Sequence, residues 1–399
     1  MSIKSNRIFG DNSELATRLK QIISFSSDKR TMLVHITNQC NLRCNACWFF
    51  TERFDQRSRE IREIGRWESF AQQQADRGIT VGLLIGGEPT LHPDRIADIR
   101  HHIPYLTIST NGEFILSRTD FPDVTVALTL FGGYKSDDRY RAVRATGQRF
   151  SSLFPKALKN YYDDPRAGFV YAVTYRAIDE IEETVKRIRD NGQRVLFNFY
   201  RDFSRHEVET EDQEMALLDR TLAVKSRFPD TVSSTSHMLE TMFVGRTHWA
   251  KFGYQTCPSV SHDYEGVEER LSNGHPTLPG FNAYTANHEP TLCCNSGVCE
   301  TCRDSQAIAS WILSNMRKYM KRPELMRIWV EADEAYWSQF IDDLWNASKK
   351  RANGFAMSIM TRLLSSWPSG HDLEPARSRR GDRSGDCTIG RTIRYRHRA

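Results

Sequence analysis

Cys40, Cys44 and Cys47 fall in the stretch ITNQCNLRCNACWFF with the spacing C-x3-C-x2-C. Thiolates gathered this closely chelate soft or borderline metals. A structural zinc takes four ligands. The local candidate for a fourth is His35, which belongs to the apolar run before the loop. An iron–sulfur cluster also usually takes four thiolates. Three thiolates therefore leave one metal position open for a substrate or a cofactor. A second group, Cys257, Cys293, Cys294, Cys299 and Cys302, includes the spacing C-x4-C-x2-C from Cys294. That is tight enough for one metal centre, and its five thiols exceed four positions. Cys387 stands alone and is expected to be unligated.

Six short apolar runs can carry these groups: 31–37, 80–86, 105–110, 123–130, 168–175 and 194–200. Each is rich in Val, Ile, Leu, Phe or Thr, as a buried parallel strand should be. Helical patterns lie between them. Ile61, Ile64, Trp67 and Phe70 recur every third residue; Ile178, Ile181, Val185 and Ile188 follow one helix face, with Gly192 as its stop. Strand alternating with helix predicts a parallel α/β architecture with right-handed crossovers. Six units point to an incomplete (β/α)6 TIM-like barrel, with a doubly wound sheet as the alternative. In both folds the chemistry sits at the C-terminal strand ends, where the first cysteines, GGEPT and TNG fall.

The expected organisation is a helical lead-in (1–30), the partial barrel (31–229), an irregular Cys-rich region (230–304), C-terminal helices (305–367) and a basic disordered tail (368–399). Another helix is expected over 211–228, and Pro323 suits a helix N1 position. Trp311, Trp329, Trp337 and Trp345 read as packing residues of the C-terminal helices.

No apolar run of about 18 residues is present, so no membrane span is expected. The first residues lack an apolar signal core, which makes the cytoplasm the expected compartment. Clustered cysteines in that reducing compartment read as metal ligands rather than disulfides. The net charge is +5 over 399 residues. Residues 376–399 alone carry eight arginines and two aspartates, leaving about −1 for the rest. The basic character belongs to the tail, which argues against a nucleic-acid-binding body.

The C-x3-C-x2-C loop after a first strand resembles the radical S-adenosylmethionine (SAM) superfamily. IGGEPTLHP (85–93), ending the second strand, is similar to that family's GGE motif. The resemblance implies a 4Fe–4S cluster on Cys40, Cys44 and Cys47, whose open iron chelates SAM and whose electron cleaves it to a 5′-deoxyadenosyl radical. Gly86 and Gly87 would let backbone approach a ligand closely. Glu88 would accept from the SAM ammonium. Ser109, Thr110 and Asn111, ending the third strand, would meet its ribose or carboxylate. One departure is Ala46, where the family often has an aromatic; Trp48 is the candidate to fill that space. The ending TLFGG of the fourth strand is less family-like.

The later cysteines resemble a SPASM or twitch auxiliary-cluster region, too few for two full clusters. The resemblance implies a second 4Fe–4S cluster on Cys257, Cys294, Cys299 and Cys302, with Cys293 as alternative ligand to Cys294. A structural zinc on the same thiols is the rival. Tyr175, Arg176, Asn198 and Tyr200, near strand ends, are candidate substrate contacts. Only about 30 residues precede the first strand, too few for the leader-binding domain of peptide maturases. The expectation is therefore a small-molecule substrate, such as a sugar, nucleoside or natural-product intermediate, with an external electron donor such as flavodoxin or ferredoxin. A peptide-modifying maturase and a non-catalytic zinc or iron–sulfur module are the alternatives.

Overall fold

The computed structural model describes residues 13–45, 47–199, 209–244, 258–265, 267–272, 278, 280–293 and 304–351, with backbone alone at 244, 269–271 and 339–351. Its centre is a sheet whose strands are β1 (Thr31–Thr37), β2 (Val81–Gly86), β3 (Tyr105–Thr110), β4 (Thr125–Phe131), β5 (Ala167–Val173), β6 (Arg194–Phe199), β7 (Asn282–Tyr284) and β8 (Pro290–Thr291). The order is β6-β5-β4-β3-β2-β1-β7-β8. Strands β1 to β6 are parallel and follow one another in space as they do in the chain. A doubly wound sheet reverses after its first few strands, so the unbroken run of six supports the barrel-type winding. The sheet is open: β6 and β8 are its edges, with a single parallel bridge from Val195 to Val232 beyond β6.

The strands form where the sequence is apolar on both faces. In β1, Met32 to Thr37 are all buried, as in a parallel sheet covered on two sides. β4 instead alternates buried with half-buried residues along its length.

The helices are α1 (Ser13–Ser26), α2 (Trp48–Thr51), α3 (Phe54–Arg57), α4 (Arg66–Asp76), α5 (Pro93–His102), α6 (Asp137–Arg141), α7 (Leu153–Asn160), α8 (Ile181–Asp190), α9 (Glu211–Arg227), α10 (Ser236–Val244), α11 (Val267–Ser272), α12 (Ser305–Ser314), α13 (Met316–Tyr319) and α14 (Pro323–Arg351). Helix α9 begins with a capping box between Thr210 and Gln213. Helix α8 buries Ile181, Val185 and Ile188 and ends before Gly192, whose φ of 81° is the left-handed stop. α14 starts at Pro323, as expected. It packs on α1 through Phe25 and Trp337, centroids 5.4 Å apart, and through the Arg18–Glu334 ion pair at 2.7 Å. Trp311, Trp329 and Trp337 are buried packing residues; the side chain of Trp345 lies outside the described residues.

Two expectations are corrected. Ile61 and Ile64 are not on the helix they were assigned to. Ile64 is fully exposed, and Gly65, at φ 79°, precedes α4, which buries Trp67, Phe70, Ala71 and Gln74. A strict three-residue repeat drifts off one face of a 3.6-residue helix. Residues 230–302 are not wholly irregular either. They supply α10, and β7 adds parallel to β1 through Met32↔Asn282 to Val34↔Tyr284. FNAYTA is too short and too polar to read as a strand; its register on β1 makes it one.

Candidate functional site

The three thiols lie in the loop after β1. Leu42 N–H donates to Cys40 Sγ at 3.4 Å, and Cys44 Sγ lies 3.8 Å from Arg141 O. Cys47 precedes the first turn of α2. Cys40 and Cys44 pack against buried Leu42, Ala142 and Leu153. Burial pushes all three thiols up, Cys40 to about 12, with the Glu88 charge adding to the shift at Cys40. Such a site holds thiolates only against positive charge, which a metal centre supplies.

The donor set tests what that centre is. The sulfurs repel one another electrostatically, so they converge on one space. Three desolvated soft donors fit three of the four ligand positions of an iron–sulfur cluster. His35 is not a fourth ligand candidate on this geometry: its ring is buried among Trp48, Phe49 and Phe54, centroids 4.8–5.6 Å away. Trp48 leans on the Leu33–Ile85–Phe281–Ala283 cluster, filling space beside β1 and β2. Ala46 lies outside the described residues.

Hydrogen bonds lock the cysteine loop to the β2 tip. Gly87 N–H donates to Thr37 O at 2.9 Å, and Glu88 N–H to Gln39 O at 2.7 Å. A Cβ on Gly87 would sit 1.9 Å from Gln39 O, and one on Gly86 2.5 Å from Thr37 O. The two glycines thus admit the cysteine loop's own backbone. Glu88 is buried and accepts from Thr90 N–H (3.1 Å), Thr90 Oγ1 (2.6 Å), Thr110 Oγ1 (2.6 Å) and Asn111 N–H (2.9 Å). Burial raises its pKa against those donors. Cys40, Cys44, Cys47, Gly87, Glu88, Thr110 and Asn111 are therefore brought to one end of the sheet. Ser109 sits one residue back on β3, half-buried and on the opposite face from Thr110.

The motif reading missed several residues that hold this end. Asn111 Nδ2 donates to Asn41 Oδ1 at 2.8 Å, and Asn41 Nδ2 to Glu113 Oε2 at 2.6 Å. Glu113 is buried and held below the ordinary range: burial opposes, but hydrogen bonds from Arg144 and Lys156 outweigh it. On the far side, Arg141 and Asp137 form a buried ion pair at 2.7 Å, and Arg141 also donates to Asn111 O at 3.3 Å. Burial raises Asp137 against the pull of Arg141. Glu60 accepts from Asn38 N–H at 2.8 Å and Arg95 at 2.6 Å, anchoring the β1 tip. These partners lie up to 72 residues apart in the chain, so no local spacing signals them.

The candidate substrate residues separate. Tyr175 and Arg176 are exposed beyond the β5 end. Asn198 is engaged: Nδ2 donates to Asp304 Oδ2 at 3.1 Å, and Oδ1 accepts from Ser305 N–H at 3.2 Å. Tyr200, Cys257, Cys294, Cys299, Cys302 and Cys387 lie outside the described residues. Cys293 is described: half-buried and bridged by backbone to Val260. No helix among the described residues is long and apolar enough to cross a membrane.

Residues 34–201 match the family model of the radical SAM superfamily. No curated protein matches the chain. Among solved structures, anSMEcpe with bound AdoMet is similar at 13% identity and TM-score 0.46, over 84% of this chain and 98% of that one. The FeFe-hydrogenase maturase HydG from Carboxydothermus hydrogenoformans gives 14% and 0.36, over 84% and 85%. BtrN in complex with AdoMet and 2-DOIA gives 14% and 0.24, over 42% and 70%.

Proposed function

We propose, on the match of residues 34–201 to the radical SAM family model, that this chain reductively cleaves SAM and abstracts hydrogen from a small organic substrate. The observation that carries the reading is the thiol trio at the β1 tip: three half-buried, desolvated cysteines close enough to repel one another as thiolates.

When bound there, a 4Fe–4S cluster with SAM supplies an electron to the sulfonium and so a 5′-deoxyadenosyl radical. The chain's own residues do the holding and shielding. Cys40, Cys44 and Cys47 are the ligands. Leu42 N–H stabilises charge on Cys40 Sγ. Leu42, Ala142 and Leu153 keep water from the thiols. Glu88, Thr110 and Asn111 bind the tips of β2 and β3 to each other, which fixes the groups around the SAM position. Glu88 Oε1 takes three of its four donors and Oε2 only Asn111 N–H, so Oε2 keeps acceptor capacity for the SAM ammonium.

A sugar, nucleoside or other natural-product intermediate suits the hydroxyl and guanidinium that Tyr175 and Arg176 present beyond β5. Cys257, Cys294, Cys299 and Cys302, with Cys293 as alternative, are proposed to hold a second 4Fe–4S cluster. The division into a barrel over 31–229 and an auxiliary region over 230–304 goes with that proposal.

The test is anaerobic reconstitution with iron and sulfide, followed by SAM cleavage with dithionite. Replacing Cys40, Cys44 and Cys47 by Ala is expected to abolish 5′-deoxyadenosine formation. Cleavage that survives the triple change overturns the reading. Deuterium transfer from candidate substrates into 5′-deoxyadenosine then separates small molecules from peptides.

A further inference from the structure

Three chain segments run side by side, the cysteine loop being the first of them. Arg43 N–H donates to Val143 O and Asn45 N–H to Tyr140 O, both at 2.7 Å, and Leu42 bridges Arg144 in antiparallel sense. Val143 in turn bridges Arg149, and Arg144 N–H donates to Gln148 O at 2.8 Å. Each segment contributes one exposed arginine: Arg43, Arg139 and Arg149. Two contacts tie them together. Asn45 Nδ2 donates to Arg139 O and Arg149 Nη1 to the same oxygen, both at 3.4 Å. Arg43 is held over the Phe50 ring at 3.9 Å.

The charge on this face is unbalanced. Glu113 is satisfied by Arg144 and Lys156. Asp138 is turned inward, accepting from Ser152 and Leu153 N–H at 2.6 and 2.9 Å. Asp137 is buried with Arg141. Among the described residues no carboxylate pairs with Arg43, Arg139 or Arg149. Around them residues 145–149 are exposed, so the surface is open to a partner. The face adjoins the cysteine loop: Cys44 follows Arg43 in the chain, and its Sγ lies 3.8 Å from Arg141 O.

A positive face beside a redox centre is what an acidic electron carrier recognises, because charge complementarity steers and orients the encounter. We propose that Arg43, Arg139 and Arg149 form the docking surface for an acidic one-electron carrier protein of flavodoxin or ferredoxin type. The carrier loses one electron, and the cluster on Cys40, Cys44 and Cys47 gains it. The inference rests on the proposed radical SAM activity and adds where its electron enters.

The experiment uses the reconstituted protein and an Arg139→Glu/Arg149→Glu variant, which leaves Arg43 and the cysteine loop intact. Photoreduced flavodoxin and ferredoxin are the protein reductants, and dithionite is the small one. Two readouts are taken at low ionic strength: carrier affinity by calorimetry, and the rate of cluster reduction by absorbance. The expected result is about a tenfold or greater loss of affinity and of carrier-driven reduction. Dithionite-driven reduction and SAM cleavage change less than about twofold. Wild-type affinity is also expected to fall as salt rises. Unchanged carrier affinity in the variant, or no binding of either carrier to the wild type, overturns the proposal. So does an equal loss with dithionite, which would make the face structural. Loss of binding to a single-stranded RNA probe with carrier reduction unchanged would also overturn it, assigning the face to nucleic acid. If the wild type with dithionite fails to cleave SAM, the activity itself is refuted, which is a different outcome.

Discussion

The tips of β1 to β3 and those of β5 and β6 lie at the same end of one sheet but are built differently. At the first three tips the polar groups satisfy one another across the strands: Glu88 joins β2 to β3, Gly87 joins β2 to the cysteine loop, and Asn41, Asn111 and Glu113 close the circuit. At the other two, Tyr175 and Arg176 face solvent, and Asn198 reaches away to cap the start of α12. The first arrangement fixes the strand tips to one another. The second leaves Tyr175 and Arg176 exposed and ties Asn198 to the later chain.

Substitution of Gly87 by Ala is the harshest way to test that difference. Its Cβ would meet Gln39 O at 1.9 Å and Gln39 C at 2.4 Å, backbone against backbone. We expect destabilisation by about 3 kcal/mol or more and loss of iron incorporation, read by melting temperature and iron content. A stable, iron-loaded Gly87→Ala protein would show that the two loops are not locked.

Glu88→Ala comes next. It strands donors from Thr90, Thr110 and Asn111 in a buried site, at a cost of about 2–3 kcal/mol. SAM affinity should fall with it, measured by equilibrium dialysis. Glu88→Gln, which keeps one acceptor oxygen, should be milder on both counts.

Asn198→Ala should cost only about 1 kcal/mol. Its signature is faster amide exchange at Ser305 and Gln306, with SAM affinity unaltered. An effect on SAM affinity equal to that of Glu88→Ala would erase the distinction between the two halves.

The mildest test is acidification. Glu113 has its folded pKa below the ordinary 4.5, so its folded state binds fewer protons than the unfolded chain. Its contribution is complete above that ordinary value and is lost as pH falls through the lower, folded one. Amide exchange at Leu42 and Asn45 should therefore accelerate below about pH 4.5 before exchange at Phe199 does. Glu113→Gln should remove that pH dependence.

The legible parts share a cause. Six strands read correctly because each is a short apolar run whose period needs no partner to declare itself. The cysteine trio and GGE read because their spacing is local. Ile61 and Ile64 misled because apolar residues near a helix look periodic whether or not Gly65 interrupts the backbone. β7 was invisible because its strand character comes from register against β1, not from FNAYTA itself. Asn41, Glu113 and Arg144 carried no signal, since each acquires meaning only from a residue far along the chain.

The candidate chemistry thus came from residue order alone: three thiols with no fourth close by in sequence, set after a strand, are what suggested a metal centre with an open position. Placement came from the folded chain. Which donors reach Glu88, why Gly87 admits no side chain, and how residues 140–149 bridge to the cysteine loop are facts of contact. Spacing along a chain determines what a local cluster can bind, because its atoms are tethered within a few residues. Buried hydrogen bonds and charge concentration depend on through-space distance, which only the packing of β1 to β4 establishes.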